Sequence, residues 1–218
     1  MPDMLARALG QLRDLAPDLL VITGDLLDVP LEELDNPTTQ AAARADLAFI
    51  RAQLTSFPAP LALVHGNHDH PALVAETFVD LPNDQIHNGY RILTFADDEG
   101  VDHVPVRVGD TKVRFEHALA DSTSRPQIHI QHYLVWPPRN DDYPHTYGAG
   151  AAMRDAIIAA GNVRLVLSGH YHPGVPLFCD KGVYFATVRA FTEAPHPYWL
   201  YDLHSDGSVS CRTYTTLR

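Results

Sequence analysis

The feature that most constrains this chain is a pattern repeated four times: an apolar run that ends abruptly on a short polar cluster. The runs are "LLVITGDLLD" (19–28), "LALVHGNHDH" (61–70), "IHIQHYLVWPP" (128–138) and "VRLVLSGHYHPG" (163–174). Continuous Val, Ile and Leu over four to six residues reads as a strand covered on both faces, the signature of α/β proteins with parallel strands. Such a strand has little use for a charge at its end, because an isolated buried carboxylate is costly. Yet the ends deliver Asp25, then Asn67 and His68, then His132, then His170 and His172.

Helical patterns lie between the strands. Residues 2–16 place Leu5, Leu9, Leu12 and Leu15 on one face and exit at Pro17. Asn36-Pro37 reads as an N-cap and first helical position for a helix through about Leu54. A third helix is expected from Gly148 to Ala160, with Gly161 and Asn162 as stop signals. Between residues 90 and 117 the pattern turns to short alternating strands, and "VRVGDTKVRFEH" predicts a hairpin turning at Gly109–Thr111. The tail reads as another hairpin about Ser205–Gly207. Together these predict an α/β fold with a two-layered β-sandwich core flanked by helices, in one domain over residues 1–218.

Composition narrows the function. A net charge of −11 argues against non-specific binding to nucleic acid or anionic membrane. No apolar run is long enough to span a bilayer. Two cysteines, Cys179 and Cys211, without a CxxC spacing, point to a reduced, cytoplasmic setting and away from a structural zinc site.

Taken singly, each polar residue has an ordinary explanation. Asp25 and Asn67 suit turns, and a lone His132 suits a hydrogen-bonded structural histidine; 13 histidines make chance pairs expected. Co-occurrence shifts the balance, because four strands each end on a metal-capable group. Carboxylate, amide oxygen and imidazole form the donor set of Mn, Fe or Zn sites, and loops at the carboxyl ends of parallel strands are where such sites assemble.

In this order the residues resemble the calcineurin-like metallophosphoesterases. The motifs are Gly24-Asp25-Leu26-Leu27-Asp28, Gly66-Asn67-His68-Asp69, His132, and Gly169-His170-Tyr171-His172. The resemblance implies that Asp25 bridges two divalent ions. It implies further that Asn67, His132 and His170 complete one ion's shell and that His172 binds the other. It assigns His68 to the transition state and leaving group, with Asp69 orienting it, in the hydrolysis of a phosphomonoester or phosphodiester.

One motif departs from the family. Its D-x-H at the end of an earlier strand has no counterpart in the 24 residues before Asp25. Three explanations stay open: Met1 is not the native start, the chain is a one-metal or non-catalytic relative, or the motif has moved. Asp202-Leu203-His204 is a literal D-x-H that a circular permutation would bring to the family's spacing, although it also suits a terminal hairpin. His145, in the long loop 136–150, could touch substrate but is expected to face solvent.

Overall fold

The computed structural model describes residues 2–121, 123 and 125–216. Helix α1 (Pro2–Leu15) leads to β1 (Leu20–Ile22), followed by α2 (Pro37–Thr55), β2 (Leu61–Leu63) and α3 (Pro71–Thr77). Next come β3 (Asp84–His87), β4 (Tyr90–Phe95), the short pair β5 (Asp98–Glu99) and β6 (Pro105–Val106), and α4 (Gly109–Ala120). The chain continues through β7 (Gln127–Gln131), α5 (Gly150–Ala160), β8 (Val163–Ser168), β9 (Val175–Asp180) and β10 (Val183–Thr187). The hairpin β11 (Pro197–Leu203) and β12 (Val209–Thr215) follows.

Six strands form one sheet in the order β3-β4-β7-β8-β10-β9, parallel from β4 through β10. Strands β1 and β2 pair in parallel, and β11 pairs antiparallel with β12. The two-residue period of a strand sorts their side chains into separate cores. Ala62 and Val64 meet Ile92, Ile128, Ile130, Leu165 and Leu167 of the large sheet, together with Trp199, Tyr201 and Val209 of the hairpin. That cluster is the interior of the sandwich. Leu61 and Leu63 turn the other way, onto Leu9 of α1 and Leu47 of α2. On the far side Leu93 and Phe95 meet Phe115 of α4 with Met153 and Ile157 of α5. The expected two-layered sandwich flanked by helices is therefore the architecture. Each fully buried Leu, Ile or Phe in it contributes about 1.5–3 kcal/mol.

The local signals hold at the caps. Asn36 accepts the Thr38 N–H (2.9 Å) with Pro37 opening α2, and Gly161 closes α5 at φ +71°. Helix α5 begins at Gly150, two residues after the expected start. The hairpin predicted about Gly109–Thr111 is wrong: this stretch begins α4. The alternating Val106 and Val108 suggested strands, but Phe115 and Ala118 lie three apart and bury one face against the large sheet. Asp110 in the first turn suits the helix dipole. No described helix is long and apolar enough to cross a membrane.

Candidate metal centre

The strands that carry the four polar clusters belong to both layers and end on the same edge of the sandwich. β1 delivers Asp25, β2 delivers Asn67 and His68, β7 delivers His132, and β8 delivers His170 and His172. Their approach is close enough to require glycine. A Cβ on Gly24 (φ +99°) would lie 2.5 Å from His132 Nδ1 and 2.7 Å from Gly66 N. One on Gly66 would run into Asp25 Oδ1 and lie 2.6 Å from the Asp25 nitrogen. Two of the delivered side chains, Asp25 (φ +52°) and His170 (φ +62°), sit on left-handed backbone. Strain of this kind costs on the order of 1–3 kcal/mol and clusters at functional sites.

His132 is the centre of the arrangement. Its Nδ1 donates to the Thr23 carbonyl (2.7 Å), which leaves Nε2 of the neutral ring with a lone pair. That nitrogen faces Asn67 Oδ1 at 3.1 Å, His170 Nδ1 at 3.1 Å and Asp25 Oδ2 at 3.3 Å. Two oxygens and a second imidazole nitrogen therefore converge on one lone pair. A single proton satisfies one of these contacts; a divalent cation satisfies all of them. Asp25, His132 and His170 place one ligand atom each within 4.8 Å of one another. His170 Nε2 is buried and has no partner among the described residues. The donor set fits a divalent cation with oxygen and nitrogen preferences.

The charges agree with this geometry. Burial opposes ionisation of Asp25, but the His132 ring, when Nε2 carries a proton in place of a cation, and the His68 N–H (3.0 Å to Oδ1) outweigh it and hold the carboxyl down at about 2. Burial, with His132 beside it, pushes the His170 imidazole down to about 3, keeping it neutral and able to ligate.

Above this cluster lies a cavity of about 370 Å³. His68, His172, Leu31 and Pro173 line it, and so do Tyr143 and His145 from the long loop. His68 Nδ1 donates to the Val29 carbonyl (3.1 Å) and lies 3.5 Å from Asp28 Oδ1, leaving Nε2 uncommitted. His172 stands outside the tight cluster, its Nδ1 held by Glu193 Oε1 at 2.9 Å.

Two expectations are corrected. Asp69 does not touch the His68 ring. Its buried carboxylate accepts the N–H groups of Gly66 (2.9 Å), Leu27 (3.0 Å) and Leu26 (3.1 Å), tying the two motif loops together. Burial pushes its carboxyl up, against the pull of those three donors. His145 does not face solvent; its ring packs on His170 with centroids 5.1 Å apart. The terminal-hairpin reading of Asp202 and His204 holds: Asp202 pairs with Arg212, and His204 with Ser210 Oγ (3.0 Å). Neither joins the Asp25 cluster. The roles of Asp28 and Glu193 escaped sequence reading, although Asp28 closes the GDxxD motif.

The family profile of the calcineurin-like phosphoesterases matches residues 2–174. The chain belongs to the calcineurin-like phosphoesterase family. Solved structures share this phosphoesterase fold at low identity. A dimetal phosphatase from Danio rerio aligns at TM-score 0.66 and 17% identity, covering 89% of this chain and 79% of its own. PhoD aligns at 0.55 and 12%, covering 86% of this chain and 54% of its own. GAP50, the anchor in the inner membrane complex of Plasmodium, aligns at 0.51 and 13%, covering 88% and 68%. No curated protein matches the chain. Calcineurin-like phosphoesterases use divalent metals in a dinuclear site, and the Asp25 cluster offers donors of that kind.

Proposed function

We propose that this chain is a metal-dependent phosphoesterase that hydrolyses a phosphomonoester or phosphodiester at the mouth of the Asp25 cluster. The observation that carries the reading is the convergence of Asn67 Oδ1, Asp25 Oδ2 and His170 Nδ1 on the lone pair of His132 Nε2. Asp25, Asn67, His132 and His170 would hold one divalent ion. Asp25 and His172 would serve a second, with Mn, Fe or Zn as candidates. Bound there, the cations would polarise the phosphoryl oxygens and supply hydroxide at neutral pH.

The chain's own residues do the rest. His68, fixed through Nδ1 by Val29, presents Nε2 to the cavity, where it can contact a phosphoryl oxygen and give a proton to the leaving group. Asp69 acts on it indirectly, by holding the loop that carries it. His172 is oriented by Glu193, as ligating histidines are by carboxylates behind them. The protein is read as a single-domain cytoplasmic enzyme acting on a phosphate ester, with nucleic acid and membrane disfavoured by its acidic balance.

A second reading is a metal-binding or scaffolding relative without turnover. It is favoured by His172 standing outside the cluster and by the anchor protein GAP50 having the same fold. The test is release of p-nitrophenol from mono- and bis-p-nitrophenyl phosphate with Mn²⁺. Turnover that His68→Ala abolishes supports the enzyme. Metal binding without turnover across several ions would leave only the second reading.

A further inference from the structure

The cavity wall has a pattern of charge that nothing in the metal cluster requires. No lysine or arginine among the described residues lines it. Arg139, in the long loop beside it, is turned onto the Tyr171 ring, 6.0 Å from its centroid. Carboxylates stand behind the lining side chains instead. His68 has Asp28 at 3.5 Å, and His145 has Asp142 at 3.9 Å. His172 has Glu193 at 2.9 Å, and Tyr143 donates to Glu99 (3.3 Å), which also meets His103. Asp28, Asp142 and Glu193 are 96%, 89% and 53% exposed, so their carboxylates ring the mouth.

Resting on the phosphoesterase reading of this same site, we propose that the carboxylate ring makes the enzyme selective for phosphodiesters over phosphomonoesters and polyphosphates. A monoester carries close to two negative charges at neutral pH and a diester carries one. Metal ions held at the base of the cavity would attract both. The ring repels each additional charge, and no lysine or arginine among the described residues lines the wall to offset it. A diester turns a second, uncharged ester group toward the wall, where Leu31, Pro173 and the Tyr143 ring provide apolar and aromatic surface. In the reaction the oxygen of water bonds to phosphorus as the bond to one alcohol breaks. The alcohol leaves with a proton, and the product is a monoester that the ring then disfavours.

The experiment compares kcat/KM of the metal-loaded full chain for bis-p-nitrophenyl and p-nitrophenyl phosphate, at low and high salt. The expected result is a preference for the diester, with a single nitrophenol released per molecule, that narrows as salt screens the ring. Asp142→Asn with Glu193→Gln keeps the hydrogen bond to His172. It should raise monoester turnover relative to diester about fivefold at low salt. Calorimetry with diphenyl and phenyl phosphate should show the same order of binding. A wild-type preference for the monoester, or a ratio that neither salt nor the double variant moves, overturns the proposal while leaving the phosphoesterase reading intact. Failure to turn over either substrate removes that reading and this one together.

Discussion

Two carboxylates of this protein sit in opposite circumstances, Asp97 fully buried and Asp25 partly buried. Asp97 is paired with a cation of the chain's own: Arg107 grips it with Nε at 2.8 Å and Nη2 at 2.7 Å, and Tyr147 donates to it at 2.5 Å. The Arg107 guanidinium also lies over the rings of Phe95 (4.3 Å) and Phe115 (4.6 Å). Among the described residues Asp25 has no arginine or lysine partner. It faces His132, whose lone pair also faces Asn67 and His170. The first cluster is electrically complete and structural. The second is a set of donor atoms converging on one point, with strained backbone at Asp25 and His170. The contrast teaches that burial of a carboxylate says little about function; what supplies its counter-charge says a great deal.

The comparison breaks most readily at Asp25. Asp25→Asn is expected to lower kcat by about 10³-fold or more and to abolish metal-induced stabilisation, measured by turnover and by calorimetric titration with Mn²⁺. If metal still binds with unchanged affinity, Asp25 is not a ligand. The mirror substitution, Arg107→Ala, strands Asp97 and should cost about 3–5 kcal/mol in urea unfolding while the metal response survives. Replacing Arg107, Asp97 and Tyr147 together by Met, Leu and Phe should recover most of that loss, because the cluster is structural. Adding metal at about 100 times its Kd should stabilise the wild type by about 2.7 kcal/mol. The same rise in Asp25→Asn would place the ion elsewhere.

The smaller effects sharpen the picture. Burial pushes His129, packed edge-on against Phe95 and Phe115 beside Arg107, down from 6.5 to about 3. Between those values the unfolded chain binds the extra proton. Stability therefore falls as pH drops through that window, by about 1.4 kcal/mol per pH unit. His129→Gln should flatten this slope in metal-free protein; an unchanged slope would mean that His129 is protonated in the fold. Smallest of all, Asn36→Ala should cost about 1 kcal/mol through loss of the α2 cap, without touching metal or turnover.

Much of the site was legible because strand ends and short motifs are local. Asp25, Asn67, His132 and His170 were readable as metal-capable groups, each following its own apolar run. Helix α4 was misread because the valines at 106 and 108 carry a strand period. The face that decides the helix, Phe115 with Ala118, gains its meaning only from the sheet beneath. His145 was misplaced because loop 136–150 takes its path from contacts outside itself. Leu134 bridges Thr146, and Tyr147 is anchored on Asp97. The pairing of His172 with Glu193 spans 21 residues of chain and leaves no periodic trace.

By itself, the sequence determined which side chains stand at the ends of which strands, since period and turn chemistry act over a few residues. Only the tertiary structure decided what those side chains face. The Thr23 carbonyl that fixes the His132 tautomer lies 109 residues away, Asn67 lies 65 away and His170 lies 38 away. Sheet order and the packing of the two layers bring them together. The need for a cation is a property of that convergence and of no residue alone.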